Sequence, residues 1–117
     1  MKNKTSSIPV LIIKEEYFNE ILNGTKIEEY RSLSEHYFKM FCKKGKDGYY
    51  DEIKPIKEIT LAVGYRKDRK TAVVEVKDLY ICVFEKDIPP GFEKGDECFV
   101  IELGKVKKTE NVKRKQI

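Results

Sequence analysis

From Gly24 the chain reads Gly-Thr-Lys-Ile-Glu-Glu-Tyr-Arg, which sets Lys26, Glu29 and Arg31 within reach of one another. Side chains of an extended strand alternate between two faces. Over residues 26–31, Lys26, Glu28 and Tyr30 then point one way, and Ile27, Glu29, Arg31 and Leu33 point the other. A buried face that serves only packing is apolar, because an unpaired charge there is strongly unfavourable. Glu29 and Arg31 carry opposite charges and can pair between apolar walls. Lys26 follows the Gly24 turn, where alternation need not hold, and can join them. The competing reading is an exposed ion pair, worth about 0–1 kcal/mol.

The chemistry open to such a cleft is recognition of anions and of base edges. Lys26 and Arg31 suit a phosphate, and the Arg31 guanidinium can donate as a fork. Glu29 can orient Arg31 or accept from a base amino group. A hydrolytic role needs Lys26 as nucleophile or base, which requires its pKa to be lowered by burial or by a neighbouring cation. Arg31 favours that and Glu29 opposes it. No Ser/His or Cys/His pair is visible. His36, the only histidine, reads as a partly exposed structural residue. Glu75 interrupts an apolar run and faces either the cleft or the exterior.

A second basic set lies at 66–70, Arg-Lys-Asp-Arg-Lys, directly after Tyr65. Arg66, Lys67, Arg69 and Lys70 would attract phosphate without regard to sequence. Tyr65 is either a platform on which an unpaired base stacks or a core aromatic on an alternating strand. A solvated turn is the plainer account of the basic run.

The elements that must position these residues follow from periodicity. Ile8 to Ile13 is a short β-branched run and reads as a first strand. Tyr17, Phe18, Ile21 and Leu22 share one helical face, with Glu15 and Glu16 in the first turn and Gly24 as the left-handed stop. Ser32 with Glu35 fits a capping box before a second helix bearing Tyr37, Phe38 and Phe41. Residues 43–55 read as a polar loop in which Tyr49 and Tyr50 are out of place. Residues 59–65 alternate, the basic turn follows, and 71–76 form the antiparallel partner. Residues 79–84 either continue that strand or begin another. Pro89-Pro90-Gly91 and Lys94-Gly95-Asp96 interrupt the chain, and Glu97 to Leu103 is the last strand. Helices first and strands after predict α+β with a strongly curved sheet, an order that allows a barrel without requiring one.

Composition narrows the class. A chain of 117 residues is one domain, with its core expected over about 8–106 and a basic C-terminal tail beyond. The net charge of +4, from 24 basic and 20 acidic residues, is too mild to prove a nucleic-acid partner. Cys42, Cys82 and Cys98 are far apart in sequence with no Cys-x-x-Cys, so neither a metal nor another cofactor is expected. They suit reduced thiols in a cytoplasmic protein, Cys82 and Cys98 as core residues. No run approaches the 18 or so apolar residues of a membrane span, and the N-terminus lacks the apolar stretch of a signal peptide.

Gly24-x-Lys26-x-x-Glu29-x-Arg31 resembles the Gly-x-Lys-x-x-Glu-x-Arg signature of the ASCH (activating signal cointegrator homology) domain family. The surroundings are similar too: Tyr17-Phe18-x-x-Ile21-Leu22-x-Gly24 before it, then Val63-Gly64-Tyr65, Ala72 to Val76, and Phe99 to Gly104. The resemblance spans roughly residues 8–106. It implies a PUA-like β-barrel with two flanking helices and a cleft lined by the signature residues, binding RNA or nucleotide. A bacterial branch of the family hydrolyses acylated cytidines. That branch has a Thr three residues after the motif lysine, where this chain has Glu29, so a binding module is the preferred expectation and an amidohydrolase the alternative.

Overall fold

The computed structural model describes residues 8–112. The basic positions 113–115 lie outside them. In chain order the elements are β1 (Val10–Ile13), α1 (Glu15–Leu22), β2 (Glu28–Ser32), α2 (Glu35–Phe41), β3 (Cys42–Lys44), β4 (Tyr50–Ile53), β5 (Glu58–Val63), β6 (Thr71–Val83) and β7 (Glu97–Glu110). This is an α+β arrangement, mostly sheet with two short helices. No helix among the described residues is long and apolar enough to cross a membrane.

Five strands form one sheet in the order β1-β5-β6-β7-β2. Only β1 and β5 run parallel, because α1, β2, α2 and a small hairpin intervene between them. The other neighbours are antiparallel. Among the described residues the sheet is open: β1 and β2 are its two edges and no backbone ladder joins them. The closed barrel expected from the family resemblance therefore does not form as a continuous ladder. Strand β6 is a single 13-residue element, so residues 79–83 continue it. Its register against β7 shifts between Val73 and Asp78, and such irregularities bend a strand and increase its twist.

The alternation along the strands places the core. Leu11, Ile13, Ile59, Leu61, Ala72, Val74, Phe99, Ile101 and Leu103 project from one face of the sheet and meet Phe18 and Ile21 of α1 and Phe41 of α2. On the other face, Phe84, Cys98 and Val100 are covered by Tyr30, Tyr80, Ile88 and Phe92. Each methylene removed from water contributes about 0.8 kcal/mol, so these two clusters supply the main drive for folding.

Local departures from the sequence reading have local causes. The cap of α2 is Ser34, whose hydroxyl accepts from the Tyr37 N–H, and not the Ser32–Glu35 box. Ser32 is instead committed to pairing with Cys98 at the end of β2. Residues 43–55 are not a loop throughout: β3 and β4 form a two-stranded hairpin. Tyr50 explains itself there, stacked on Phe38 and donating to Glu35, whereas Tyr49 stands exposed. Strand β7 runs past Leu103 to Glu110 because β6 offers it pairing partners that far, so residues 107–110 belong to the sheet and not to a tail.

Candidate functional site

Positioning begins at the end of α1. Gly24 has φ +86°, a conformation open to glycine at no steric cost. Its N–H bonds the Ile21 carbonyl and the Thr25 N–H bonds the Glu20 carbonyl, the pattern of a Schellman stop. The chain then reverses and enters β2 at Glu28, two residues later than the sequence pattern suggests. Ile27 is consequently exposed rather than inward, while its carbonyl accepts from the Leu103 N–H. Lys26, still outside the strand, is free to swing toward Glu29.

Glu29 is the one buried charged residue among the described residues, 6% exposed. It is paired on both sides. Its Oε1 lies 3.4 Å from the Lys26 Nζ, and its Oε2 accepts from Arg31 Nε at 3.1 Å and Nη2 at 2.6 Å. Two cations on one carboxylate offset its desolvation, which either alone would do less well. The expectation that the signature charges can pair thus holds.

Arg31 is spent inside the protein. Besides Glu29, its Nη2 donates to the Ile12 carbonyl at 3.0 Å and its Nη1 to the Tyr37 hydroxyl at 2.8 Å. A guanidinium has five N–H donors, and these bonds occupy four of them. Lys26 is placed differently. Its ammonium lies 5.2 Å from the centre of the Tyr17 ring and 5.4 Å from that of Tyr30, within cation–π range of both. With Glu29, Pro89, Pro90 and Phe92 these residues line a pocket of about 120 Å³. Tyr30 is itself braced edge-on against Phe84 and Phe92 at 5.7 and 6.5 Å.

Sequence reasoning missed most of that lining. Tyr17 read as one more apolar helical position, and Pro89-Pro90-Gly91 as a break. Tyr30 fell on the opposite strand face from Glu29, which is correct; the two meet at the pocket only because it opens over the rim of the edge strand β2.

Tyr30 also donates to Glu28, and Tyr80 donates to Glu102 at 2.9 Å. Glu28 and Glu102 are opposed across β2 and β7, so each tyrosine hydroxyl answers a carboxylate that faces another. Burial, then the Glu28 hydrogen bond and charge, push the Tyr30 hydroxyl well above its ordinary range. For Tyr80 the Glu102 hydrogen bond leads, with burial second, and holds it up at about 12.

The 66–70 loop does not touch the pocket. Tyr65 is 82% exposed, so it is not a core aromatic. Arg66 pairs with Asp68, Arg69 donates to the Gly64 carbonyl at 3.0 Å, and Lys70 pairs with Glu15 of α1. Lys67 is exposed. Helix α1 therefore carries Tyr17 at the pocket and Glu15 at the loop. Glu75 faces outward, accepting from the Lys105 N–H at 3.2 Å, and His36 is exposed with its ring edge against Tyr37. No family model matches the chain, and neither curated proteins nor solved structures give a match.

Proposed function

We propose that this chain is an ASCH-type module of PUA-like architecture that binds RNA or nucleotide, with Lys26 as the contact that recognises the ligand. The observation that carries this reading is the placement of Lys26: a cation lining an open pocket, between two tyrosine rings and over a buried carboxylate. Charge and aromatic faces side by side are what phosphate and an unstacked base require.

Ligand pockets are typically about 300–1,000 Å³. At about 120 Å³, this one takes a single ring or a phosphate group, and the remainder of a nucleotide or strand lies on the surface. Tyr65 and the four basic residues at 66, 67, 69 and 70, at the other end of α1's first turn, form the expected continuation. Arg31 serves as a positioning residue, holding Glu29 so that Lys26 is held in turn. The PUA-like reading rests on the curl of the open sheet and the family resemblance; a cytoplasmic setting suits the three free thiols.

Titration of short single-stranded RNAs and nucleoside monophosphates against the wild-type chain and Lys26→Ala tests this. Binding that falls at least tenfold in Lys26→Ala is the expected result. Equal binding by both would overturn it. Incubation with N4-acetylcytidine tests the amidohydrolase alternative: the substrate should persist, and turnover that disappears in Lys26→Ala would replace the binding reading with a hydrolytic one.

A further inference from the structure

Cys82 and Cys98 lie far apart in sequence and directly opposite one another in space, as register partners on β6 and β7. Opposed residues of an antiparallel pair have Cα atoms about 4.5–5.5 Å apart and side chains on the same face. A disulfide spans Cα separations of about 4.4–6.8 Å, so the ladder already sets these two residues within the Cα range that a disulfide needs. Both thiols sit in the cluster with Phe84 and Val100. Cys98 is fully buried and Cys82 is partly exposed. Burial, and then the Cys82 thiol beside it, hold the Cys98 thiol up at about 12. Cys42 lies in the other cluster, on the opposite face of the sheet.

We propose that Cys82 and Cys98 form a redox-modification site that a peroxide-class oxidant converts to a cross-strand disulfide. Exposure assigns the roles, since solvent reaches Cys82 first. One peroxide oxygen is transferred to the Cys82 sulfur, giving a sulfenic acid and one water. The Cys98 sulfur then attacks the Cys82 sulfur, the S–O bond breaks as the S–S bond forms, and the departing hydroxide takes the Cys98 proton as a second water. Two thiols are oxidised by two electrons and one peroxide is reduced. The bond ties β6 to β7 at the base of the 84–96 segment, beside the Phe84 N–H to Asp96 carbonyl bond of 2.9 Å. The proposal is independent of any ligand at Lys26.

The test is a hydrogen peroxide titration of the reduced chain, followed by thiol counting under denaturing conditions and mass mapping. Three thiols should fall to one, the intact mass should drop by about 2 Da, and dithiothreitol should reverse both. Lys86 and Lys94 separate the two cysteines, so trypsin should release a linked pair of peptides from the oxidised chain and free peptides after reduction. In Cys98→Ala, dimedone should trap a sulfenic acid on Cys82; in Cys82→Ser, Cys98 should remain a thiol. The wild-type mass map decides the matter even if a Cys98 variant folds poorly. Retention of three thiols, oxygen addition to each cysteine without a link, or a bond formed only between two chains would overturn the proposal.

Discussion

The Arg31 guanidinium donates to the backbone carbonyl of Ile12, 3.0 Å away, and so bridges the two edge strands of the sheet, β2 and β1. An edge strand presents unpaired backbone groups, which proteins pair, cover or guard with charge. Here a side chain from one edge satisfies a carbonyl on the other. The same guanidinium neutralises Glu29 and donates to the Tyr37 hydroxyl of α2, so one residue joins both edges, the buried charge and a helix. From sequence alone Arg31 belongs to a cleft as a candidate ligand contact; in the structure four of its five N–H donors are taken up inside the protein.

Arg31→Ala should therefore destabilise the fold by about 2–3 kcal/mol. Breaking a buried pair typically costs about 3–5 kcal/mol, and the lower figure applies because Lys26 still faces Glu29. For a domain of this size the melting temperature should fall on the order of 10 °C. Arg31→Lys should recover only part of this, since an ammonium cannot reproduce the fork. Thermal and urea melts measure it; a melting temperature unchanged in Arg31→Ala would show that the bridge carries little.

Lys26→Ala should separate from Arg31→Ala in the opposite sense. Lys26 is partly exposed and shares Glu29 with a second cation, so its removal should change stability by about 1 kcal/mol or less. Without its charge-assisted bond to ligand, binding should weaken by about 1.5–3 kcal/mol, or roughly tenfold or more. A variant that melts far below wild type while still binding RNA would make Lys26 a structural residue.

Substitutions in the 66–70 loop should act on RNA affinity evenly across sequences. Removing one cation that neutralises a phosphate should flatten the slope of log affinity against log salt by about 0.7 for a single strand. Arg66→Ala and Lys67→Ala should do this without destabilising the fold, since Arg66 pairs with exposed Asp68 and Lys67 is exposed. Lys70→Ala also breaks the Glu15 pair and should lower the melt slightly. Affinities and salt slopes identical to wild type in a variant lacking all four charges would remove the loop from the binding surface.

Alkaline titration should weaken the fold. Tyr30, Tyr80 and Cys98 all have folded-state pKa values raised above their ordinary ones, to about 12 for Tyr80 and Cys98. In the unfolded chain these groups ionise near pH 9–10, while the folded protein keeps its protons, so the unfolded state binds fewer. The stability they contribute is complete below about pH 9 and declines as pH rises toward 12. Melts taken from pH 8 to 11 should fall, and the fall should be shallower in Tyr30→Phe, where no proton is at stake. The same slope in both proteins would exclude Tyr30 as a cause.

Much of this protein is legible in its sequence because it depends on near neighbours. The Gly24 stop, the apolar faces of α1 and α2, the alternation of β5 and β7 and the pairing of Glu29 with Arg31 are all written within a few residues, where helix and strand periods act. What the sequence cannot carry is which strand lies beside which. Register across β6 and β7, separated by a long connection, brought Cys82 to Cys98 although their spacing suggested nothing. Curling of the open sheet brought Ile12 to Arg31 and turned an expected ligand contact inward. Tyr65 lies on an alternating run that fits a core strand equally well, yet β5 ends at Val63 and leaves its ring in solvent. Periodicity fixes the face on which a side chain stands; only the packing of distant segments decides whether that face meets core, cleft or water.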